Sequence, residues 1–355
     1  MNPEFWRGKK VLVTGHTGFK GGWLSLWLQQ LGAQVIGYAL APNTDPSMFE
    51  AAEVADGMTS IIGDLRDLSK LTRTLEEHAP EIVIHMGAQA ILSVAYQDPV
   101  LTYTSNTIGS MNLLEAIRCT NSVRVAVMIT TDKCYENVEW VWGYRENDRL
   151  GGHDPYSSSK AAAELIIRAY RESFFPDSQF DAHRVAIASA RAGNVIGGGD
   201  WSPDRLIPDL MRTMLDGRLT TIRRPTATRP WQFVLEPLNG YLVLAEQLWR
   251  RGSAVTEAWN FGPSVDELYD VAWISNYIAD KTGGRWDTPE GAVDLTESRL
   301  LKLDCTKARM RLGWAPKLDL PTCLDWVLEW YRAHNEGQDV RSVCHLQIER
   351  FQSIE

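Results

Sequence analysis

The stretch Gly15-His16-Thr17-Gly18-Phe19-Lys20-Gly21 narrows the possible folds more than any other part of the chain. It follows an apolar run at residues 9–14 that fits a buried strand, and precedes residues 23–31, whose apolar periodicity fits a helix. Strand, glycine turn and helix in that order form the setting a dinucleotide-binding loop requires. Glycines let the backbone approach a pyrophosphate, and the helix N-terminus offers unpaired N–H groups and the positive end of its dipole. The spacing is G-x-x-G-x-x-G, not the G-x-G-x-x-G of many dehydrogenases. A glycine turn by itself is often only a turn. Its place between strand and helix makes Gly15, His16, Thr17, Gly18, Phe19, Lys20 and Gly21 candidate cofactor-binding residues, with His16 adding bulk beside the pyrophosphate.

Short apolar runs continue at residues 35–38, 59–62, 82–85, 125–129 and 186–190, with helical stretches between them. Strands and helices in alternation specify an α/β fold, a Rossmann-type doubly wound parallel sheet with helices on both faces. Past Gly197-Gly198-Gly199-Asp200-Trp201 the alternation weakens and proline and arginine rise. The expected division is therefore a Rossmann domain over residues 1–190 and a smaller, mainly substrate-binding domain over residues 191–355, with the chain crossing between them more than once. A net charge of −9 speaks against nucleic acid as a partner. No apolar run reaches the length of a membrane span, and the amino terminus lacks a signal peptide's apolar region. Five cysteines at scattered spacings give neither a disulfide framework nor a zinc-ligand set, so no metal is expected and a reducing, cytoplasmic setting is.

Two further motifs bear on chemistry. Tyr156 and Lys160 stand four residues apart, which places them on one face of a helix. An ammonium beside a phenol favours the phenolate, so Lys160 is expected to lower the pKa of Tyr156 and ready it to take an alcohol proton. Thr131-Asp132-Lys133 follows the apolar run 125–129, at a strand exit where open α/β sheets present reactive groups. Tyr-x-x-x-Lys also arises by chance on helices, and Asp132-Lys133 has the bland reading of a solvated ion pair in a loop. A redox pair and a second acid–amine pair on one sheet suggest more than a simple dehydrogenase.

Together these residues resemble the extended short-chain dehydrogenase/reductase family and, within it, the nucleotide-sugar 4,6-dehydratases. The likeness also runs through Gly63-Asp64-Leu65-Arg66-Asp67, His85-Met86-Gly87-Ala88-Gln89-Ala90, residues 106–116 and Leu312-Gly313-Trp314-Ala315-Pro316. Lysine at position 133, where the dTDP-glucose enzymes carry glutamate, resembles the branch that acts on CDP-glucose. The resemblance implies bound NAD, with Asp64 and Leu65 at the adenine, Ala88 and Gln89 lining the cofactor, and Lys160 also on the nicotinamide ribose. It implies Thr131, Asp132, Lys133, Tyr156 and Lys160 as the catalytic group. Thr131 would donate to the carbon 4 oxygen, protonated Asp132 would be the acid for the hydroxyl leaving carbon 6, and neutral Lys133 the base at carbon 5. Lys133 has the alternative role of positioning a water or hydroxyl, because an adjacent acid and amine titrate together. Asn194, Arg229 and Arg299 match sugar-nucleotide positions of the family, and Arg205 and Arg223 are further candidates that could equally be surface arginines. Helices at residues 106–118 and 155–175 resemble those that pair across a two-fold axis, implying a homodimer or a dimer of dimers.

One position departs from the pattern. A carboxylate for the ribose 2′-hydroxyl is usual about 20 residues past the glycine loop, but the run here is Gly37-Tyr38-Ala39-Leu40-Ala41-Pro42. Tyr38 is the candidate that takes its place, and selection between NAD and NADP is left open. Three readings stand at this point: a dehydratase, a nucleotide-sugar epimerase or reductase without elimination, and a non-catalytic redox-sensing protein on the same fold.

Overall fold

Successive residues of the first strand, Lys10–Thr14 (β1), point to opposite faces, and both faces are covered. Val11 and Val13 join one apolar cluster with Trp23, Leu24 and Trp27, while Leu12 joins another with Leu113, Leu114 and Ile117. The same division repeats in Ile82–His85 (β4) and Val125–Ile129 (β5), so an unbroken apolar run along each strand supplies two cores at once. The computed structural model describes residues 1–264, 269–288 and 300–354. Among these, Gln34–Ala39 (β2), Thr59–Ile62 (β3), Ala186–Ala192 (β6) and Ala258–Phe261 complete a seven-stranded sheet. Every pairing is parallel, in the order Ala258–Phe261, β6, β5, β4, β1, β2, β3. The chain builds outward from β1 to one side, then restarts at β4 on the other. Between β1 and β4 the crossovers diverge, and a crevice opens at the strands' carboxyl ends.

The helix after β1 spans Phe19–Gln30, beginning four residues before the periodic stretch at Trp23. Gly18 is the extended N-cap, and the Gly22 amide bonds back to the Gly18 carbonyl at 2.8 Å, so Gly21 falls inside the first turn. The helix expected over 106–118 is Gly109–Cys119, preceded by a π-helical turn at Thr104–Ile108. That wider turn carries the buried Asn106 side chain inward, where its amide donates to the Gln89 carbonyl and to Ser159 Oγ, both at 2.9 Å.

A cut at residue 190 does not separate the layers. β6 runs on to Ala192, and Ala258–Phe261 returns to pair with it, Ala258 opposite Ser189. Without that strand β6 would present an open edge. Helix Leu235–Arg251 lies against β5 and β6, and the terminal helix Val340–Ser353 lies against Phe19–Gln30. What stands apart from the sheet is smaller. It comprises helices Leu206–Met214 and Val271–Thr282 with the paired strands Leu219–Thr221 and Arg285–Asp287.

Candidate active site

The glycine loop is held by contacts that leave no room for side chains. Gly15 sits at φ +78°, and a Cβ on it would lie 2.8 Å from the Gly87 amide nitrogen, at the exit of β4. On Gly21 a Cβ would lie 2.0 Å from the Gly15 carbonyl oxygen. Thr14 Oγ1 accepts from the amides of Met86 and Gly87, each at 3.1 Å, and clamps β1 to β4 at the crevice floor. The result is a backbone-lined cradle at the free N-terminus of a 12-residue helix. That geometry suits a pyrophosphate, so the residues present fit a dinucleotide.

Two expectations in this region are corrected. Tyr38 does not face a ribose: its side chain is fully enclosed and its hydroxyl donates to the Asp64 carbonyl at 2.9 Å. The phenol fills the space over Gly63, where a Cβ would lie 2.4 Å from the ring. Nor does His16 thicken the phosphate turn. Its ring turns toward β2 and β3, with Nε2 at 2.7 Å from Ser60 Oγ, over a Gly37 whose Cβ would meet the ring at 2.3 Å. Burial holds His16 neutral, with its pKa down at about 4. Thr17 Oγ1 donates to the Leu40 carbonyl, and Phe19 lies beside Gly197. Asp64 forms an ion pair with Arg66 at 2.6 Å, while Leu65 is buried against Gly87 and Gly109. Ala88 and Gln89 follow β4. Gln89 is fixed by Thr102 through its amide nitrogen and by the Ile91 amide through its oxygen, while its own backbone amide donates to Asn106 Oδ1 at 2.7 Å.

Thr131, Asp132, Tyr156 and Lys160 are brought together as expected. β5 ends in a single turn, Asp132–Cys134, that Thr131 N-caps by accepting from the Lys133 amide at 3.3 Å. Thr131 Oγ1 also donates to Asp132 Oδ1 at 3.0 Å and lies within hydrogen-bonding reach of the Tyr156 phenol. Tyr156 is in the first turn of helix Pro155–Ser173, whose N-cap Asp154 accepts from the Ser157 amide at 2.9 Å. Asp132 is 2% exposed and its Oδ2 has no partner. Burial raises its pKa against the pull of Lys133, which favours the protonated acid.

The expected lowering of the Tyr156 pKa is not what the geometry gives. Burial pushes the phenol up to about 12, more than Thr131 and Arg205 pull it down. Lys160 aims elsewhere: Nζ donates to the Ile129 carbonyl at 3.2 Å, and burial lowers its own pKa to about 8. Helix spacing put the two residues on one face, but the ammonium's direction depends on which oxygen the neighbouring strand offers.

Lys20, expected to line the cofactor loop, is redirected, and Tyr241 and Glu164 went unread in the sequence. Lys20 leaves the glycine loop and reaches the Tyr241 hydroxyl at 3.1 Å, inside the same buried cluster. Burial, with Lys160 and Arg205 nearby, brings its pKa to about 7. Glu164, one turn past Lys160, is buried and accepts from Arg191 at 2.8 and 2.9 Å, from Ser189 and from Thr130. This network bolts the Tyr156 helix to β5 and β6. The i, i+4, i+8 spacing of Tyr156, Lys160 and Glu164 was the signal that could have found it.

The substrate candidates divide. Asn194 follows β6, its carbonyl accepting from the Gln232 amide at 3.0 Å. Arg229 lies near enough to Asp132 to favour its charge. Arg205 pairs with Asp200 at 2.8 Å and acts on both Tyr156 and Lys20, so it belongs to the reacting end. Arg223 is a surface residue, 65% exposed and 3.6 Å from Asp204, as its plainer reading had it. Arg299 lies outside the described residues. Among the described residues no cluster of His, Cys, Asp and Glu could hold a metal, and no helix is long and apolar enough to cross a membrane.

The model of the GDP-mannose 4,6 dehydratase family matches residues 12–325. The chain belongs to that family. Over 99% of its length and of the relative's, it is 46% identical to a CDP-glucose 4,6-dehydratase of Salmonella typhimurium. Its fold is that of a dTDP-glucose 4,6-dehydratase from Streptomyces venezuelae with NAD and TYD bound, at TM-score 0.74 and 22% identity, covering 93% of this chain and 99% of that one. It is also that of a UDP-glucose 4-epimerase from Stenotrophomonas maltophila with bound NAD, at TM-score 0.80 and 21% identity with the same coverage.

Proposed function

We propose that the protein is an NAD-dependent CDP-glucose 4,6-dehydratase, a hydro-lyase that converts CDP-D-glucose to CDP-4-keto-6-deoxy-D-glucose. The observation that carries this reading is the buried Asp132 carboxyl, with one oxygen free, between Lys133 and the Tyr156–Lys160 helix. The full-length likeness to a CDP-glucose enzyme gives the nucleotide. NAD, held by Gly15 to Gly21 at the crevice, supplies a two-electron acceptor that is restored within each turnover.

The chain's own groups manage the protons. Thr131 donates to the carbon 4 oxygen and holds it beside Tyr156, which takes the hydroxyl proton. Once carbon 4 is a ketone, the proton on carbon 5 becomes acidic. Lys133 accepts it while Asp132, kept protonated by burial, delivers its proton to the hydroxyl that leaves carbon 6 as water. Lys160, its pKa lowered by burial to about 8, is held behind this group at the Ile129 carbonyl. Arg205 adds positive charge there, which favours phenolate. Arg229, by its fork geometry, suits the diphosphate.

The protein acts in the cytoplasm as a homodimer or dimer of dimers, and its product is a precursor of the deoxysugars of bacterial surface polysaccharide such as lipopolysaccharide O-antigen. Exposed Tyr96, Val100, Tyr103 and Ile108, with Leu165 and Phe174 on the neighbouring helix, supply an apolar face that supports self-association. Incubating the protein and NAD with CDP-, dTDP-, UDP- and GDP-glucose tests the activity, the 4-keto product being read by its alkaline ultraviolet absorbance. Product from CDP-glucose is expected, and its absence would remove the assignment.

A further inference from the structure

Lys20 lies in the first turn of helix Phe19–Gln30, within the glycine cradle, yet its ammonium does not stay there. Nζ donates at 3.1 Å to the hydroxyl of Tyr241, a fully enclosed side chain on helix Leu235–Arg251. Lys160, Arg205 and Asp132 lie near enough to act on the Lys20 charge, and Tyr156 and Asp132 act in turn on Tyr241. Arg205 is paired with Asp200, and burial holds Asp132 toward its neutral form. Among the described residues Lys20 forms no ion pair, so the reacting end holds more positive charge than ionised carboxyl can offset. The cradle suits the pyrophosphate, whereas hydride transfer requires the nicotinamide beside the sugar oxygen at Tyr156. The oxidised ring is a cation and the reduced ring is neutral, while the pyrophosphate is the same in both. A charge at the cradle acts on both redox forms alike; one at the reacting end opposes the oxidised form alone.

We propose that Lys20 sets the redox preference of the cofactor site: its ammonium, carried to the reacting end by Tyr241, opposes oxidised NAD and leaves NADH unopposed. This rests on NAD as the cofactor and not on the identity of the sugar nucleotide. Each tenfold by which NADH binds more tightly than NAD raises the reduction potential of the bound couple by about 30 mV, which favours the oxidation at carbon 4. The effect depends on pH. Burial brings Lys20 to about 7, so the repulsion is complete below that value and fades as the amine loses its proton above it. Lys160 titrates about one unit higher, Arg205 keeps its charge throughout, and burial holds Tyr156 and Tyr241 neutral over the same range.

Calorimetric titration of cofactor-free protein with NAD and with NADH tests this without any substrate. At pH 6 the wild type should bind NADH at least tenfold more tightly than NAD. Raising the pH to 8 should tighten NAD severalfold and change NADH less. Lys20→Met should cut the ratio of the two affinities at pH 6 at least tenfold, chiefly by tightening NAD, and should remove the pH step. Lys20→Arg, which cannot lose its proton, should keep the preference for NADH at both pH values. An unchanged ratio in Lys20→Met would overturn the proposal. So would equal weakening of both forms, the mark of a pyrophosphate ligand, or a wild-type NAD affinity that does not vary between pH 6 and 8. Wild-type protein that binds neither form would instead overturn the cofactor site itself, an outcome distinct from all of these.

Discussion

In the proposed mechanism Asp132 and Lys133 carry the elimination, so Asp132→Asn and Lys133→Met should each lower 4-keto product formation by far more than tenfold, beyond ~1.4 kcal/mol of barrier. Binding of CDP-glucose should be nearly retained, and turnover above a tenth of the wild-type rate in both would show the roles to be misassigned. Tyr156→Phe should prevent the first oxidation, so rapid mixing would reveal no transient reduced-nicotinamide band. A normal transient would place the proton acceptor elsewhere. Tyr38→Phe removes the hydroxyl that satisfies the Asp64 carbonyl and should cost about 1 kcal/mol of unfolding free energy, read by denaturant titration, without changing cofactor preference. Tyr38→Asp, a carboxylate in a fully enclosed site, should destabilise the fold rather than select NAD. Spacing made Thr131, Asp132, Tyr156 and Lys160 legible because helix and strand geometry converts it directly into proximity. Burial is a property of neighbours distant in sequence, so the raised Tyr156 pKa and the enclosure of Tyr38 and His16 could not be read from their own segments.

The elements that present these groups are fixed at their ends. Asp154 caps helix Pro155–Ser173 through the Ser157 amide and its hydroxyl, two residues from Tyr156. Asp154→Ala should cost ~1 kcal/mol of stability and, by loosening the first turn, lower kcat more than it raises KM. Thermal unfolding and steady-state kinetics on one preparation check both. The strand positions of β4 and β5 coincide with the apolar runs because a strand buried on both faces announces itself by composition. Helix starts were less legible. The fingerprint glycines serve at once as turn, cap and first helical residues, and a buried Asn106 inserts a π turn ahead of Gly109.

Across the whole molecule, two histidines make stability depend on acidity. Burial holds His85 at about 3, between Thr14 and Ser110, and His16 at about 4, both below the ordinary value of 6.5. The unfolded chain therefore binds more protons. Their stabilisation is complete above about pH 6.5 and is lost as the pH falls toward the folded values, on the order of 1.4 kcal/mol for every tenfold by which folding weakens a ring's hold on its proton. Denaturation midpoints should drop steeply between about pH 6.5 and 4, and His85→Asn should flatten that slope; an unchanged slope would assign the acid sensitivity to other groups. The parallel sheet and its cofactor crevice were legible in the alternation of the first half, whereas the return of Ala258–Phe261 was not, because no local pattern names a strand's distant neighbour. That return has a consequence for synthesis on the ribosome. β6 is complete at Ala192, but the strand that closes its flank emerges 66 residues later, at Ala258. During that interval the nascent Rossmann layer carries a bare hydrogen-bonding rim, open to other chains. A fragment ending at residue 190 should accordingly aggregate when expressed alone, whereas one extended through the helix Val340–Ser353 should remain dispersed.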